Sequence, residues 1–158
     1  MYLYIYSMTN CVYKIEFYKS TLDLNDDYDR LSEYEKECIS ELNADSFFDY
    51  EDELERYTCY LITTPSELER YTVILKNNLI KHDYFNLSKS LLKNEIDLED
   101  LEEKIDEINY FKYDFFMDDL DNWILHNLDI DTVLDRITEV GIDSLKPIET
   151  KFLKNYKI

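Results

Sequence analysis

The sequence predicts an α+β fold, in which a small antiparallel sheet of about three strands packs with helices and precedes a helical C-terminal half. In the first half, apolar and polar residues alternate with the period of two that a half-buried strand requires. From residue 95 onward, apolar residues recur three and four positions apart, as in a helix with one buried face. Hydrophobic residues make up 45% of the 158-residue chain, so global disorder is excluded.

Two strands are expected first, at residues 2–6 and 11–18. In the second strand, apolar side chains alternate with Lys14 and Glu16, which indicates one buried and one more polar face. A third strand is expected at residues 58–63. Together these segments predict the antiparallel sheet.

Two acidic helices are expected between the second and third strands. Each has a run of apolar residues at helical spacing, surrounded by Asp and Glu. The two apolar runs are Leu31, Tyr34, Cys38 and Leu42, and then Phe47, Tyr50, Leu54 and Tyr57.

The clearest local signal in the chain begins the next helix. Thr64 has a side-chain oxygen that can cap the helix, and Pro65 suits the first helical position. Glu67 stands where a capping box requires an acid. This helix is expected to end near residues 77–78, and a further short helix is expected over residues 83–93.

The C-terminal half is predicted to contain four helices, of which the first spans residues 98–109. Asp97, Asp131 and Ser144 are expected to begin the first, third and fourth helices, and Gly141 suits a left-handed C-terminal cap. Two sets of residues are expected to face inward: Leu98, Leu101, Ile105 and Ile108, and then Leu134, Ile137 and Val140. The other two helices are indicated by Phe115, Phe116, Leu120, Trp123 and Ile124, and by Ile148 and Phe152.

The length suits a single domain over residues 1–158, with a subdivision after residue 94 as the alternative. Cys11, Cys38 and Cys59 are an odd number at wide spacing, which indicates buried thiols in a reducing compartment. No stretch has the length of apolar residues that a membrane span needs, and the N-terminus lacks the basic region of a signal peptide. We therefore expect a protein of the host cell cytoplasm.

Charge is the most informative property of the chain. Thirty-six acidic residues stand against 17 Lys and Arg, giving a net charge of −19. The acids concentrate in residues 21–57 and 95–143, which hold 14 and 17 acids against three basic residues each. Such a chain is repelled by nucleic acid and anionic membranes and attracted to basic surfaces. The expected partner is a basic protein, with no direct binding of nucleic acid or membrane.

Each candidate motif for catalysis or metal binding in the sequence is incomplete or lies in the wrong type of element. Residues 23–29 resemble the start of a calcium loop but lack the glycine at its sixth position. His82 and His126 have no partner at ligand spacing, and Glu149-Thr150-Lys151, an E-x-K pattern, falls in a predicted helix. A single glycine excludes a glycine-rich phosphate loop. We expect no catalytic residues, no metal and no cofactor, and no enzymatic activity.

Two acidic faces are the candidate partner-binding sites. On the helix expected over residues 98–109, outward acids would lie about 5–6 Å apart, close to the phosphate spacing of a nucleic-acid strand. The next helix adds acids beside aromatic residues, as at interfaces with aromatic anchors. The first face comprises Glu99, Glu102, Glu103, Asp106, Tyr110, Tyr113, Asp114, Asp118, Asp119 and Asp121. The second comprises Asp49, Glu51, Asp52, Glu53 and Glu55.

The aromatic residues beside the first face fall into two expected groups. Phe116 and Trp123 are expected to belong to the core, because they follow the inward helical spacing. Tyr110 and Tyr113 are expected to be exposed and available to a partner. An acidic helix face is also common as a purely solubilising surface, so an adaptor with an ordinary acidic surface stays an alternative.

In size, acidity and absence of enzymatic motifs, the chain resembles phage-encoded anti-CRISPR and anti-restriction proteins. The resemblance covers whole-chain character and no motif, so it assigns no residue. It implies an inhibitor that binds a basic nucleic-acid-processing enzyme, by protein–protein contact or by nucleic-acid mimicry, with a Cas9-type nuclease favoured because its channels are very basic. The alternative is an immunity protein or antitoxin that neutralises a basic bacterial nuclease toxin.

Overall fold

The structure is a computed structural model that describes residues 9–18, 29–51, 56–104 and 107–156; the side chains of residues 43–51, 102–104 and 107–110 lie outside the description. The strands are β1 (Cys11–Tyr18), β2 (Ser46–Glu51), β3 (Arg56–Thr63) and β4 (His82–Asn86). The α-helices are α1 (Glu33–Asp45), α2 (Pro65–Asn77), α3 (Ser88–Leu92), α4 (Glu107–Asn127), α5 (Ile130–Val140) and α6 (Pro147–Asn155). Two 3-10 helices lie at Glu99–Lys104 and Ile142–Ser144.

The described strands form one antiparallel sheet in the order β2-β3-β1-β4. Ile15 of β1 stands opposite Cys59 of β3 on one side and Tyr84 of β4 on the other. β2 pairs with the far side of β3, where Phe48 stands opposite Cys59. The predicted α+β class, with its antiparallel sheet and helical C-terminal half, is confirmed, and the sheet has four described strands.

Each face of the sheet has its own hydrophobic core, because successive side chains of a strand point to opposite faces. The first core joins β1 and β3 to α1 and α2 and comprises Tyr13, Ile15, Phe17, Cys38, Leu42, Cys59, Leu61, Leu68, Tyr71, Ile74, Leu75 and Ile80. The second core joins the other face to α3 and α4 and comprises Val12, Tyr60, Leu91, Leu98, Tyr113, Phe116, Leu120 and Trp123. Helices therefore cover both faces.

The beginning of α2 follows the local sequence signal. The Thr64 Oγ1 accepts a hydrogen bond from the Glu67 backbone N–H at 3.2 Å, and Pro65 occupies the first turn. In a complete capping box, the Glu67 carboxylate would accept a hydrogen bond from the Thr64 backbone N–H. Here the Glu67 carboxylate pairs with Arg70 instead. Leu68, Tyr71 and Leu75, which recur at helical spacing, are buried.

The acidic helix expected around Phe47, Tyr50, Leu54 and Tyr57 is wrong. Residues 46–51 form β2, and Tyr57 lies in β3 directly opposite Tyr50. The segment is rich in aromatic residues, which favour strands. Because they are so frequent, some of them also fall at helical spacing, and this coincidence produced the wrong prediction. The pairing with β3, which is a tertiary contact, favours the strand over the helix. Leu54 lies outside the described residues.

The helix expected over residues 83–93 begins later than predicted. His82–Asn86 is β4, which pairs with β1, and α3 begins at Ser88. The Asn86 side-chain oxygen accepts a hydrogen bond from the Ser88 N–H at 3.0 Å, and the Ser88 hydroxyl accepts one from the Val12 N–H at 3.0 Å. These bonds end the strand and fix the new helix against β1. Leu91 of α3 is buried.

The α-helix expected over residues 98–109 is also wrong. Glu99–Lys104 is a 3-10 helix, and α4 begins only at Glu107. Asp97 does cap this segment, because its Oδ1 accepts a hydrogen bond from the Glu99 N–H at 2.9 Å. A 3-10 helix has three residues per turn, so the α-helical face expected for its acids does not form.

The start and inward face of α5 differ from the prediction. Asp129, and not Asp131, caps the helix by accepting a hydrogen bond from the backbone N–H three residues later at 2.7 Å. The inward residue is the fully buried Val133, whereas Leu134 and Val140 are exposed. Packing therefore rotates α5 about its axis relative to the expected orientation, so that Val133 takes the buried side in place of Leu134.

The last helix begins at a different cap. Lys146, and not Ser144, is the N-cap of α6; its backbone N–H donates to the Glu149 carboxylate at 2.8 Å. Pro147 occupies the first turn as predicted. Gly141 ends α5 with a φ of 85°, the positive value that favours glycine, although its ψ of 154° lies outside the left-handed helical region.

Some sequence predictions fall outside the described residues. These are the strand expected at residues 2–6 and residues 23–28 of the calcium-like loop. The single-domain organisation stays a prediction. Among the helices that the structure describes, none combines the length and the apolar character that crossing a membrane demands.

A buried ion-pair cluster lies on β1. Glu16 is only 6% exposed, and its carboxylate lies 2.7 Å from the Lys14 Nζ and 3.1 Å from the Arg56 Nη1. A buried carboxylate is tolerated when cations compensate for its lost hydration. Lys14 and Arg56 supply that compensation from β1 itself and from the neighbouring β3, so the cluster also fixes these strands to each other.

We predict that Glu16→Gln lowers the free energy of unfolding by about 2 kcal/mol, because two partly buried cations lose their counter-charge. Urea unfolding followed by circular dichroism measures this loss. The matched control is Glu33→Gln, which removes an exposed carboxylate paired with Lys36 at 3.0 Å. The control should cost less than about 0.5 kcal/mol, and equal losses for both variants would contradict the structural role of the buried pair.

Candidate partner-binding site

The inner face of α4 is fixed by the second core. Tyr113, Phe116, Leu120 and Trp123 recur three and four residues apart and are all buried. The Trp123 indole N–H also donates a hydrogen bond to the Asn10 backbone carbonyl at 2.8 Å. This packing sets the rotation of the helix about its axis and therefore decides which residues point to solvent.

Tyr113 was expected to be exposed, and that expectation is wrong. Its side chain is 4% exposed, and its hydroxyl lies 3.4 Å and 3.3 Å from the backbone carbonyls of Leu98 and Glu99. A buried tyrosine needs such acceptors for its hydroxyl, and the 3-10 segment provides them. The expectation that Phe116 and Trp123 belong to the core is confirmed.

Three predicted acidic residues share the solvent side of α4. Asp114, Asp118 and Asp119 are exposed, and no described group forms an ion pair or a hydrogen bond with their carboxylates. Asp114 and Asp118 are one helical turn apart, so their β-carbons lie about 6 Å from each other. The predicted binding role of these three residues stays compatible with their placement.

Two aromatic residues on the same side of α4 were missed as site residues. Phe111 is 74% exposed and Phe115 is 68% exposed. They are four residues apart, so their side chains are neighbours on the helix surface. The signal was present in the sequence, because both residues lie out of phase with the inward series that begins at Tyr113.

The arrangement defines a surface that we call the α4 outer face, comprising Phe111, Asp114, Phe115, Asp118 and Asp119. Each phenylalanine has a carboxylate three residues after it, and Phe115 has a second one four residues after it. These are the spacings at which helix side chains are neighbours. The surface therefore combines two apolar rings with three carboxylates that have no ion-pair partner among the described groups.

Apart from the buried Tyr113 and from Asp121, the remaining residues of the first predicted face lie in the 3-10 segment or have side chains outside the description. Glu99 is exposed in the 3-10 segment, and Glu102 and Glu103 belong to the same segment, with side chains outside the description. Asp106 lies outside the described residues, and so does the side chain of Tyr110 at the beginning of α4.

The second predicted acidic face is described only in part. Asp49 and Glu51 lie in β2, the outermost described strand on its side of the sheet, and their side chains lie outside the description. Asp52, Glu53 and Glu55 lie outside the described residues altogether. This face therefore stays a prediction from the sequence.

Asp121 borders a separate feature, a cavity of about 280 Å³ between α3, the 3-10 segment, α4 and α6. The cavity is lined mainly by aliphatic side chains, with Lys151 of α6 among its polar residues. Partial removal of water raises the pKa of Asp121, and the charge of Asp118 raises it further, whereas Lys151 lowers it. Asp121 therefore belongs to the lining of this cavity and not to the α4 outer face.

An ion pair ties the 3-10 segment to α6 at the edge of this cavity. The Lys146 Nζ lies 2.6 Å from the Asp97 Oδ2, and the other Asp97 oxygen caps the segment. The Lys146 side chain holds the pKa of Asp97 below its ordinary value, and the hydrogen bond from the Glu99 N–H acts in the same direction. The C-terminal helix is therefore joined electrostatically to the segment that precedes α4.

No cluster of His, Cys, Asp and Glu suited to a metal ion occurs in the part of the chain that the structure describes. Comparison of the chain with protein-family models, with curated proteins and with solved structures finds no match.

We predict that Asp97→Asn destabilises the protein by about 1 kcal/mol at pH 7, because the amide keeps the cap but loses the Lys146 charge pair. Since the folded-state pKa of Asp97 is lowered, the stabilisation is present above the unfolded-state pKa of about 3.9 and is lost as pH falls through the folded-state pKa. Urea unfolding at a series of pH values measures the difference from the original protein.

The difference should shrink toward zero as the solution becomes acidic. Asp100→Asn is the matched control, since Asp100 is an exposed acid in the same 3-10 segment with no described ion-pair partner. It should show no such dependence. A constant difference for Asp97→Asn across all pH values would contradict the ion-pair explanation.

Proposed function

We propose that the protein is an acidic inhibitor that binds a basic nucleic-acid-processing enzyme, with a CRISPR-Cas nuclease of the Cas9 type as the first target to test. The observation that carries the proposal is the α4 outer face, where Asp114, Asp118 and Asp119 are exposed and unpaired among the described groups. Uncompensated carboxylates of this kind are attracted to a Lys- and Arg-rich surface and accelerate association with it.

The rigidity of α4 supports a binding role. The helix is 21 residues long, and its opposite face is packed into the second core. Side chains on such a support lose little conformational freedom when a partner binds, so less of the interaction energy is spent on ordering the site. The inhibitor would present a preformed surface to its target in the host cell cytoplasm.

The same surface would suit an immunity protein or antitoxin directed against a basic nuclease toxin. The two hypotheses share their electrostatics and differ in the target. We place the CRISPR-Cas nuclease first because of the whole-chain resemblance to phage-encoded inhibitors. A panel that contains both kinds of nuclease separates the two hypotheses.

We predict that the protein inhibits DNA cleavage by a guide-loaded Cas9-type nuclease, and that Asp114→Asn/Asp118→Asn/Asp119→Asn slows association about 10-fold at low salt. Association rates are measured by surface plasmon resonance at several salt concentrations, and inhibition is measured by cleavage of a linear target. The triple variant should also have a weaker salt dependence, because it offers fewer charges to the basic surface.

The matched control changes the net charge by the same amount elsewhere. Glu37→Gln/Glu69→Gln/Asp135→Asn neutralises three exposed acids outside α4, and it should retain nearly the original association rate. Equal slowing by both triple variants would mean that only net charge matters and would contradict a defined site. Inhibition of nuclease toxins alone would assign the protein to the immunity class and overturn the Cas9 hypothesis.

A further inference from the structure

The α4 outer face exposes more aromatic surface than an acidic helix needs for solubility. Phe111 and Phe115 are among the most exposed large apolar residues of the described chain, and they are adjacent to each other. Isolated exposed apolar residues are ordinary, but a contiguous apolar patch with a polar rim indicates an interaction surface. Asp114, Asp118 and Asp119 form that rim on the same helix.

The two rings argue against a surface that imitates only the phosphates of nucleic acid. A phosphate groove binds charge, and its affinity arises largely from counterion release. Two large apolar side chains within the row of acids would remain in water, or would obstruct the approach, unless the partner offers an apolar surface between its basic residues. The partner surface must therefore supply both apolar area and positive charge.

We infer that the α4 outer face docks into an arginine-lined apolar cleft of its target enzyme. In the complex, the rings of Phe111 and Phe115 are buried in the cleft, and the guanidinium groups at the edge of the cleft pair with Asp114, Asp118 and Asp119. This inference rests on the proposed function and deepens it by specifying the chemistry of the partner surface. The mode of binding is protein–protein contact, not nucleic-acid mimicry.

Arginine is chosen over lysine because of the spacing on the helix. A planar guanidinium group can stack flat on an aromatic ring and pair with a carboxylate through two parallel hydrogen bonds, whereas an ammonium group is a point charge that forms no such two-pronged pair. Phe115 has Asp118 and Asp119 one turn away, so one guanidinium can cover the ring and reach a carboxylate. Phe111 and Asp114 repeat the same relation one turn earlier.

The two kinds of side chain should contribute to different rate constants. Buried aromatic anchors at the centre of an interface hold the complex together and set the dissociation rate. Charges that remain near the rim act mainly on the approach of the partners and set the association rate and its salt dependence. This division is the signature that separates the docked cleft from phosphate mimicry.

The test compares three variants against the purified guide-loaded Cas9-type nuclease that the original protein binds. Phe111→Ala/Phe115→Ala should dissociate at least about 30-fold faster while associating at nearly the original rate. Phe111→Leu/Phe115→Leu, which keeps apolar area but removes the aromatic faces, should lie between this variant and the original protein. Tyr34→Ala/Tyr84→Ala is the matched control, since both tyrosines are exposed and lie outside α4.

Folding of each variant is checked by its urea midpoint, which should be unchanged for the phenylalanine variants because both side chains are exposed. Normal dissociation of Phe111→Ala/Phe115→Ala, together with lost binding of the Asp114, Asp118 and Asp119 triple variant, would overturn the cleft and support phosphate mimicry. If the Leu variant bound as tightly as the original protein, the aromatic faces would contribute nothing beyond their apolar area, and the stacking of guanidinium groups on the rings would be overturned.

Failure of this inference can be distinguished from failure of the proposed function. If the original protein binds and inhibits no nuclease of the panel, the proposed function fails, and the cleft fails with it. If the original protein inhibits a nuclease and the phenylalanine variants inhibit it equally well, only the cleft is wrong. Loss of binding in the tyrosine control as well would also contradict a site confined to α4.

Discussion

The structure depends on its two central strands, β1 and β3, which are the described strands that contribute side chains to both hydrophobic cores. Tyr13, Ile15 and Phe17 pack into the first core, while Val12 packs into the second. β1 is hydrogen-bonded to β3 and β4 along its two edges, so the sheet and both helical layers meet at this strand. In a protein of net charge −19, where self-repulsion opposes compaction, such a doubly buried strand concentrates the apolar contacts that hold the chain together.

This constraint extends to α4. The Trp123 indole N–H donates a hydrogen bond to the Asn10 carbonyl, just before β1. The Val12 N–H donates a hydrogen bond to the Ser88 hydroxyl at the start of α3. Together with the second core, these contacts fix the rotation of α4 relative to the sheet. Phe111 and Phe115 then point to solvent because the inward positions are already filled, so their exposure follows from the packing of the strand.

The sequence predicted best those features that depend on neighbours in the chain. The alternation around Lys14 gave β1 with its observed bounds, and Thr64 capped α2 as expected, because both signals are local. β2 and β4 were missed because their formation depends on pairing with β3 and β1. The α4 outer face, as a candidate site, was predicted in part. Its three aspartates were named from the sequence, but exposure was predicted for Tyr113, whereas Phe111 and Phe115 are the exposed aromatic residues.

The composition of the α4 outer face also bears on specificity. A highly acidic protein is attracted to every basic surface in a cell, so charge alone cannot select one enzyme. Two rigidly held rings add a requirement of shape, because they are buried only where an apolar cleft lies between basic side chains. On a surface without that cleft, the rings would hold the acids away from their counter-charges and leave apolar area in water. The proposed role of Phe111 and Phe115 is therefore as much to reject wrong partners as to hold the right one.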